Sequence, residues 1–276
     1  MGQHYIPQYY LNGFTDLSSK IFQYEKGTST ILPTSTKSVA NENHRWSEET
    51  ESYLANQIEA PANQVIDKIR NHAHITQSEK EILSAYMVVL WRRVPRGLSR
   101  TKSYVPKFFD DLNNHIQKLM EANPSKIDVF QNRQQEIKSL RLKFENEFPR
   151  ELWSEYLKPD VTPQTLATIP KMTWTFLTSQ STQPFLTSDN PVFFFENLGI
   201  GRSESEISFP ISNTITLWAT WRKDVKENFI RANESAIKEI NRRTASNMTK
   251  YVFYSLSASW VVNLINKKNF RLNRIK

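Results

Sequence analysis

The chain has 276 residues, and its 38% hydrophobic and 12% aromatic content excludes intrinsic disorder and supplies a substantial core. It has no cysteine, which excludes disulfides, thiolate catalysis and cysteine zinc sites, and no apolar run approaches the roughly 18 residues needed to span a bilayer. Its 36 Lys and Arg against 28 Asp and Glu give a formal charge of +8, which favours phosphate-bearing partners but also serves solubility alone. No secretory signal is visible, so we expect a cytoplasmic protein that does not contact a membrane.

The first predicted elements are a dense aromatic segment and a short hairpin. Residues 4–14 carry so many large side chains that we expect this segment to dock against the core. Residues 20–25 alternate at strand period and are followed by the turn-like cluster Lys26-Gly27-Thr28-Ser29. This pattern predicts a hairpin or small sheet within residues 20–40.

The middle of the chain, about residues 48–158, reads as helical. A helix is predicted from Glu48 to about Asn71, with Ser47 as its N-cap and with a kink or break at Pro61. Thr76-Gln77-Ser78-Glu79 is a capping-box pattern that opens a strongly apolar helix ending near Pro95. Further helices are predicted over 99–121, 125–148 and 151–157.

Strand-like patterns dominate after Pro159. They cover residues 172–178, 184–187, 192–195, 214–219 and 251–254, with a long helix predicted over 227–250 and a short helix near the end. We therefore expect one α+β domain over 1–276, in which the helical middle packs against a mixed or antiparallel sheet formed from N- and C-terminal strands.

His4 is the first candidate catalytic residue. The neighbouring Tyr5, Tyr9 and Phe14 supply enough apolar mass to hold its imidazole rigidly. Imidazole titrates near neutrality, so His4 is suited to general acid or base catalysis or to metal ligation. The alternative is a hydrogen-bonded core histidine, because a lone histidine specifies no partner.

Arg93 is the candidate phosphate-binding residue. Winding its helix at roughly 100° per residue places Ile82, Tyr86 and Val89 close to it, so the guanidinium projects from an apolar stripe. A buried arginine requires an anion, because an unpaired charge in apolar surroundings costs several kcal/mol. That anion is either a protein carboxylate in a structural salt bridge or a substrate phosphate.

Glu59 is the carboxylate best placed to pair with Arg93 or to orient His4. It lies beside Ala55 and Ala62 on its helix, where small neighbours allow another segment to approach. Its catalytic candidacy therefore depends on how the chain folds around it.

Ser188-Asp189-Asn190-Pro191 lies between two predicted strands. A carboxylate at a strand end is well placed to face a pocket, which makes Asp189 a candidate catalytic residue or an oxygen ligand for a divalent cation. The alternative is a purely structural turn, in which Asp and Asn bond back to the backbone. Ser188 does not stand in a nucleophile-elbow pattern.

Two basic stretches could contact a phosphodiester backbone. The first combines cationic and aromatic residues, and the second is the C-terminal run, for which a frayed, solvated tail is the simpler interpretation. Their members are Arg96, Arg100, Lys102, Tyr104, Lys107 and Phe108 in the first, and Lys267, Lys268, Arg271, Arg274 and Lys276 in the second.

Four segments in order resemble the bacterial domain-of-unknown-function family 4238. They are the His4–Phe14 start, the Ile58-Glu59 pair, Arg93-Val94-Pro95 and the stretch from Phe185 to Val192. Val94 departs from the family's Thr in the third segment. The matches span residues 4 to about 255 and imply one domain, but no activity, because the family has no settled function.

The resemblance groups seven residues into one candidate site. They are His4, Gln8, Glu59, Arg93, Ser188, Asp189 and Asn190. In this hypothesis Arg93 binds phosphate, His4 is the general acid or base, and Glu59 or Asp189 orients the imidazole or holds a divalent cation. Gln8, Ser188 and Asn190 position the substrate by hydrogen bonds.

The leading hypothesis is an intracellular hydrolase or transferase that acts on a phosphate-containing substrate, with nucleic acid first, as in a nuclease. The alternative is a noncatalytic nucleic-acid or protein binding module, for example in bacterial defence or stress response. A third interpretation is a buried structural network without chemistry. These patterns leave the metal, the substrate and the oligomeric state open.

Overall fold

A computed structural model describes residues 2–43, 45–179 and 184–275 of the chain. The α-helices, numbered α1 to α10, are Gln8–Leu11, Glu48–Tyr53, Ala60–Arg70, Gln77–Arg93, Pro95–Ala122, Ile127–Asn146, Arg150–Tyr156, Pro163–Thr168, Glu234–Asn247 and Ser259–Ile265. Single 3-10 turns occur at Asn12–Phe14, Pro124–Lys126, Pro159–Val161 and Ile169–Lys171.

The strands form three sheets. Numbered β1 to β11, they are Gly2–His4, Ile21–Glu25, Ile31–Thr34, Asn41–Asn43, Thr173–Thr178, Thr187–Ser188, Phe193–Phe194, Glu206–Pro210, Ile215–Thr220, Phe229–Arg231 and Tyr251–Tyr254. Their orders are β10-β5-β9-β8-β7, β3-β2-β11-β6 and β1-β4. Only the β10–β5 pair is parallel among the pairs described.

The four-stranded sheet joins the two ends of the chain. The predicted hairpin forms as β2 and β3, and β2 then pairs with β11 so that Tyr24 lies opposite Val252. Helices fill the middle of the chain from Glu48 to Tyr156. The α+β class, with a helical middle and sheets built from terminal strands, is confirmed.

The main core unites segments that are far apart in the sequence. Its largest cluster of buried apolar side chains draws on the N-terminal segment, α3, α4 and both larger sheets, including Phe14, Ile66, Met87, Leu217 and Phe253. The aromatic N-terminal segment is therefore docked, as predicted. A single domain over the whole chain stays a prediction.

The helix predicted from Glu48 is continuous but not uniformly α-helical. A π-helical segment, Leu54–Glu59, separates α2 from α3. Pro61 at the start of α3 has no N–H, so the preceding turn must lose a regular α-helical hydrogen bond, and widening to π geometry accommodates this loss without a break. The irregularity expected at Pro61 is thus a π-helical segment directly before it.

The capping box at the start of α4 is present as predicted. Thr76 Oγ1 accepts from Glu79 N–H, and the Glu79 carboxylate accepts from Thr76 N–H. We expect Thr76→Ala to lower the free energy of unfolding by about 1 kcal/mol, because one N-terminal N–H loses its acceptor. Urea unfolding would measure this loss, and Ser78→Ala in the same exposed turn is the control, expected to change stability little. Equal effects of both variants would contradict a role for the cap.

One helix prediction is wrong in part, and one strand was missed. The helix predicted over 227–250 begins only at Glu234, with Asn233 as its N-cap, because Phe229–Arg231 pairs with β5 instead. The strand Glu206–Pro210 was not predicted, although it lies in the sheet beside β9. Pairing with β5 makes Phe229–Arg231 a strand, whereas Glu206–Pro210 alternates polar and apolar residues and so carries a strand pattern that was overlooked.

The C-terminal tail is held against the protein as far as Ile275, so its interpretation as a frayed segment is wrong there. Asn273 N–H donates to Glu239 Oε1 at 2.7 Å, and Arg243 donates to Asn273 O at 2.7 Å. The Ile275 side chain is buried in an apolar cluster with Trp218. In the part of the chain that the structure describes, no helix is both long and apolar enough to cross a membrane.

Candidate functional site

Arg93 lies at the last turn of α4 and is buried, with an exposed fraction of 2%. Its Nη1 donates to Glu59 Oε1 at 2.6 Å, its Nε donates to Tyr5 O at 3.0 Å, and its Nη2 donates to His4 O. The guanidinium also lies 5.5 Å from the Trp46 ring centroid. The anion that Arg93 was expected to need is therefore a protein carboxylate, and two of its other donors fix the N-terminal backbone.

Glu59 ends the π-helical segment and faces Arg93. Its side chain is 22% exposed, whereas that of Arg93 is 3% exposed. The pair is therefore closed on the arginine side and partly hydrated on the carboxylate side. Glu59 was predicted either to pair with Arg93 or to orient His4, and in the structure it pairs with Arg93.

His4 is half-buried at the end of β1 and is oriented by other groups. Gln8 Nε2 donates to His4 Nδ1 at 3.4 Å, and His4 Nε2 donates to Lys37 O at 3.2 Å. The neutral imidazole with its proton on Nε2 satisfies both contacts. Any proton transfer by His4 must therefore begin by giving up one of them.

Asp189 is buried, with an exposed fraction of 1%, and its carboxylate closes the connection between α9 and β11. Oδ1 accepts from Thr249 N–H at 2.7 Å, and Oδ2 accepts from Lys250 N–H at 2.7 Å and Tyr251 N–H at 3.0 Å. Burial raises the pKa of this carboxyl above its usual range, and the three N–H donors oppose that rise. Asp189 thus bonds the backbone of a distant segment rather than that of its own turn.

Ser188 and Asn190 complete the same turn. Ser188 Oγ accepts from Asn190 N–H at 3.2 Å and donates to Asn190 O at 3.0 Å. Asn190 Nδ2 donates to Asn247 O at 2.9 Å, and Asn247 Nδ2 donates to Asn190 O at 2.7 Å. Both residues are fully buried. Their hydrogen bonds tie the loop before β7 to the end of α9.

The seven predicted residues thus lie in two groups. His4, Gln8, Glu59 and Arg93 form the first, and Ser188, Asp189 and Asn190 form the second. Tyr5 O accepts from Arg93 of the first group, and burial first and the Asp189 charge second raise the pKa of the Tyr5 hydroxyl. Within residues 2–43, 45–179 and 184–275, no cluster of three or more His, Asp or Glu side chains is arranged to hold a metal ion.

The first predicted basic stretch is dispersed along α5. Arg100 stacks on Trp91 with its guanidinium carbon 3.8 Å from the ring centroid, and it pairs with Glu196 at 3.2 Å. Lys107 pairs with Asp111 at 2.7 Å. Tyr104 and Phe108 remain exposed. Two cations of this stretch, Arg100 and Lys107, therefore already pair with carboxylates of the protein.

The second basic stretch contributes to a groove between α9 and α10. Two adjacent depressions of about 240 and 280 Å³ share Arg242 and Lys267 in their linings. We call them together the α9–α10 groove. Its lining residues are Lys238, Asn241, Arg242, Trp260, Asn263, Leu264, Lys267, Asn269, Phe270, Arg271 and Asn273. The sequence indicated Lys267 and Arg271, but not their meeting with Lys238, Arg242 and Trp260.

A second buried ion-pair network was missed at the sequence level. Arg243 Nη2 donates to Glu206 Oε2 at 2.5 Å, and both side chains are almost fully buried. Helical spacing could have indicated Arg243, because it follows Ile240 by three positions on α9, as Arg93 follows apolar residues on α4. Its partner, Glu206, lies on strand β8, which was not predicted.

The fold and these contacts define an α+β protein with buried arginine–glutamate pairs and a cationic groove. The chain belongs to the family described as protein of unknown function DUF4238, whose model matches residues 2–258. The predicted resemblance to this family is confirmed. All of α10 and the C-terminal tail lie beyond the matched range, so the α9–α10 groove combines residues from inside and outside it. Searches of curated proteins and of solved structures found no match.

Proposed function

We propose that this protein is a noncatalytic binding module for single-stranded nucleic acid and that the α9–α10 groove is its binding surface. The observation that supports the proposal is the lining of that groove. It carries four cationic side chains and two aromatic ones, and no carboxylate occurs among its described lining residues. Such a combination suits a phosphate backbone with stacked bases. We also propose that the protein is cytoplasmic.

The charges in the groove are only partly neutralised. Lys238 pairs with the exposed Glu234 at 3.1 Å, and Arg242 approaches Glu239 at 3.4 Å. Lys267 and Arg271 are exposed and form no side-chain ion pair with the described residues. These two cations are therefore free to displace counterions from phosphates.

Two aromatic residues could stack bases. Trp260 and Phe270 are half-buried in the groove lining, and Trp260 contacts Tyr254 edge to face at a centroid distance of 5.6 Å. This contact restrains the position of the indole ring. Base–aromatic stacking contributes about 1–3 kcal/mol per base and accepts any sequence.

Charge reversal in the groove tests the proposal. We expect Lys267→Glu/Arg271→Glu to weaken binding of a fluorescein-labelled oligothymidylate by about tenfold or more and to flatten its salt dependence. Fluorescence anisotropy over a series of salt concentrations would measure both. The matched control is Lys118→Glu/Lys126→Glu, which makes the same charge change at exposed sites on the α5–α6 hairpin.

The control separates a defined groove from general attraction. Equal weakening by both double variants would show that net charge alone drives binding. Unchanged binding in the groove variant would overturn the proposal outright.

As a second candidate we propose phosphate-ester hydrolysis or transfer at His4, which its half-buried, solvent-reachable position at the end of β1 favours. If His4 is the general base, His4→Ala should lower hydrolysis of bis(4-nitrophenyl) phosphate by about a hundredfold, with and without added Mg²⁺ or Mn²⁺. His115→Ala, at an exposed helical site, is the control. Absence of activity in the wild type, or equal losses in both variants, would rule this candidate out. Binding in the groove should survive His4→Ala.

A further inference from the structure

A mainly apolar cavity of about 380 Å³ lies between α4, α8 and the loop that connects β7 to β8. Its buried lining includes Met87, Val192 and Ile207. Its half-buried lining includes Trp91 and Phe194. This cavity shares no lining residue with the α9–α10 groove or with the His4 site.

The size of the cavity sets the size of its occupant. An apolar cavity of about 150 Å³ holds one benzene molecule, so 380 Å³ leaves space for two fused rings with a small substituent. Its volume also lies within the range of about 300–1,000 Å³ that small-molecule sites occupy. Exposed Gln164 and Gly201 belong to the same lining and mark its opening to solvent.

The aromatic side chains favour a planar occupant. The Trp91 and Phe194 rings lie 5.4 Å apart between centroids and are inclined by 48°. Arg100 stacks on the indole and donates to Trp91 O at 2.6 Å, which restrains the position of Trp91. A flat ring that packs against Phe194, or against the part of Trp91 that Arg100 leaves uncovered, gains an aromatic contact at little entropic cost to the protein.

The polar groups favour a neutral occupant. Arg92 is the charged residue of the lining, and its guanidinium already donates to Tyr156 O, Lys158 O and Thr162 Oγ1. A charged ligand would lose hydration in this mainly apolar lining, and both Nη atoms of Arg92 are already engaged in hydrogen bonds to the protein. Thr165 also lines the cavity, and its hydroxyl forms no hydrogen bond with the described residues. It can serve one hydroxyl or carbonyl group of a ligand.

We propose that this cavity is a binding site for a neutral, planar aromatic molecule of about two fused rings that carries one hydrogen-bonding group. The site is independent of nucleic-acid binding and of chemistry at His4. The cavity is lined by residues of α4, α8, the five-stranded sheet and the β7–β8 loop.

Isothermal titration calorimetry with 2-naphthol would test this site on the full chain. We expect saturable binding to the wild type, and weaker binding of naphthalene-2-sulfonate, which has the same rings and a charge. Thr165→Phe should fill the cavity from α8 and weaken 2-naphthol binding by about tenfold or more. Ala167→Phe adds the same ring at an exposed position of the same helix and should leave binding unchanged.

A second blocking variant keeps the test decisive if Thr165→Phe does not fold. Thr168→Phe lies on the same lining and should also weaken binding, with its fold checked by circular dichroism and thermal unfolding. The proposal is overturned if the wild type shows no saturable binding of 2-naphthol. It is also overturned if folded Thr165→Phe and Thr168→Phe bind as well as Ala167→Phe does.

Discussion

Replacing Arg93 with methionine is expected to lower the free energy of unfolding by about 3 kcal/mol or more. The substitution keeps much of the side-chain volume but leaves Glu59 without its cation and removes the donors to His4 O and Tyr5 O. Glu59 is partly hydrated, so its own penalty is smaller than that of a fully buried charge. Urea unfolding followed by circular dichroism would measure the loss.

The control for Arg93 is an exposed pair of the same chemistry. Arg133 bonds to Glu136 at 2.8 Å with both side chains more than half exposed. Arg133→Met should therefore change stability by less than about 1 kcal/mol. Adding Glu59→Gln to Arg93→Met should recover part of the loss, because the double variant no longer holds an unpaired carboxylate. If Arg93→Met and Arg133→Met were equally mild, Arg93 would not be the anchor of the N-terminal segment.

Replacing Asp189 with alanine is expected to cost about 3 kcal/mol as well. Three backbone N–H groups, those of Thr249, Lys250 and Tyr251, lose a shared acceptor, and bonds to a charged acceptor contribute about 1.5–3 kcal/mol each. Part of this loss is offset because burial disfavours the charged carboxylate. The same unfolding measurement applies.

Asp128→Ala provides the matched comparison for Asp189. Asp128 is exposed in the first turn of α6, where a carboxylate contributes only about 0.5 kcal/mol through the helix dipole. A large loss in Asp189→Ala alone would support a structural turn. Asp189→Ala that keeps wild-type stability but loses hydrolysis or nucleic-acid binding would instead support the catalytic or ligand-binding hypothesis.

Local chemistry made much of the fold predictable. The capping box at Thr76, the hairpin after Lys20 and the strand at Tyr251 depend on neighbouring residues and were all predicted. The strand Phe229–Arg231 was not, because it is extended only through its pairing with β5. The π-helical segment was not predicted. Pro61 indicates that a regular helix is interrupted, but the sequence does not indicate which irregular geometry the chain adopts.

The candidate residues were predictable as a set, but their partners were not. The apolar face around Arg93 correctly required an anion, and Glu59 was among the candidates for it. No local pattern shows that Arg93 also bonds the backbone of His4 and Tyr5, or that Asp189 serves the backbone of residues 249–251. The α9–α10 groove and the apolar cavity combine distant segments, so neither leaves a continuous sequence signal.

The pairing of β2 with β11 has a consequence for how the chain folds. The hairpin of β2 and β3 is made early in synthesis, yet its interior neighbour is Tyr251–Tyr254. An isolated two-stranded hairpin is marginally stable in water, so the sheet must wait until β11 has left the ribosome. Contacts of such long sequence separation slow folding and leave strand edges exposed meanwhile. This sheet is therefore expected to form after translation of the helices.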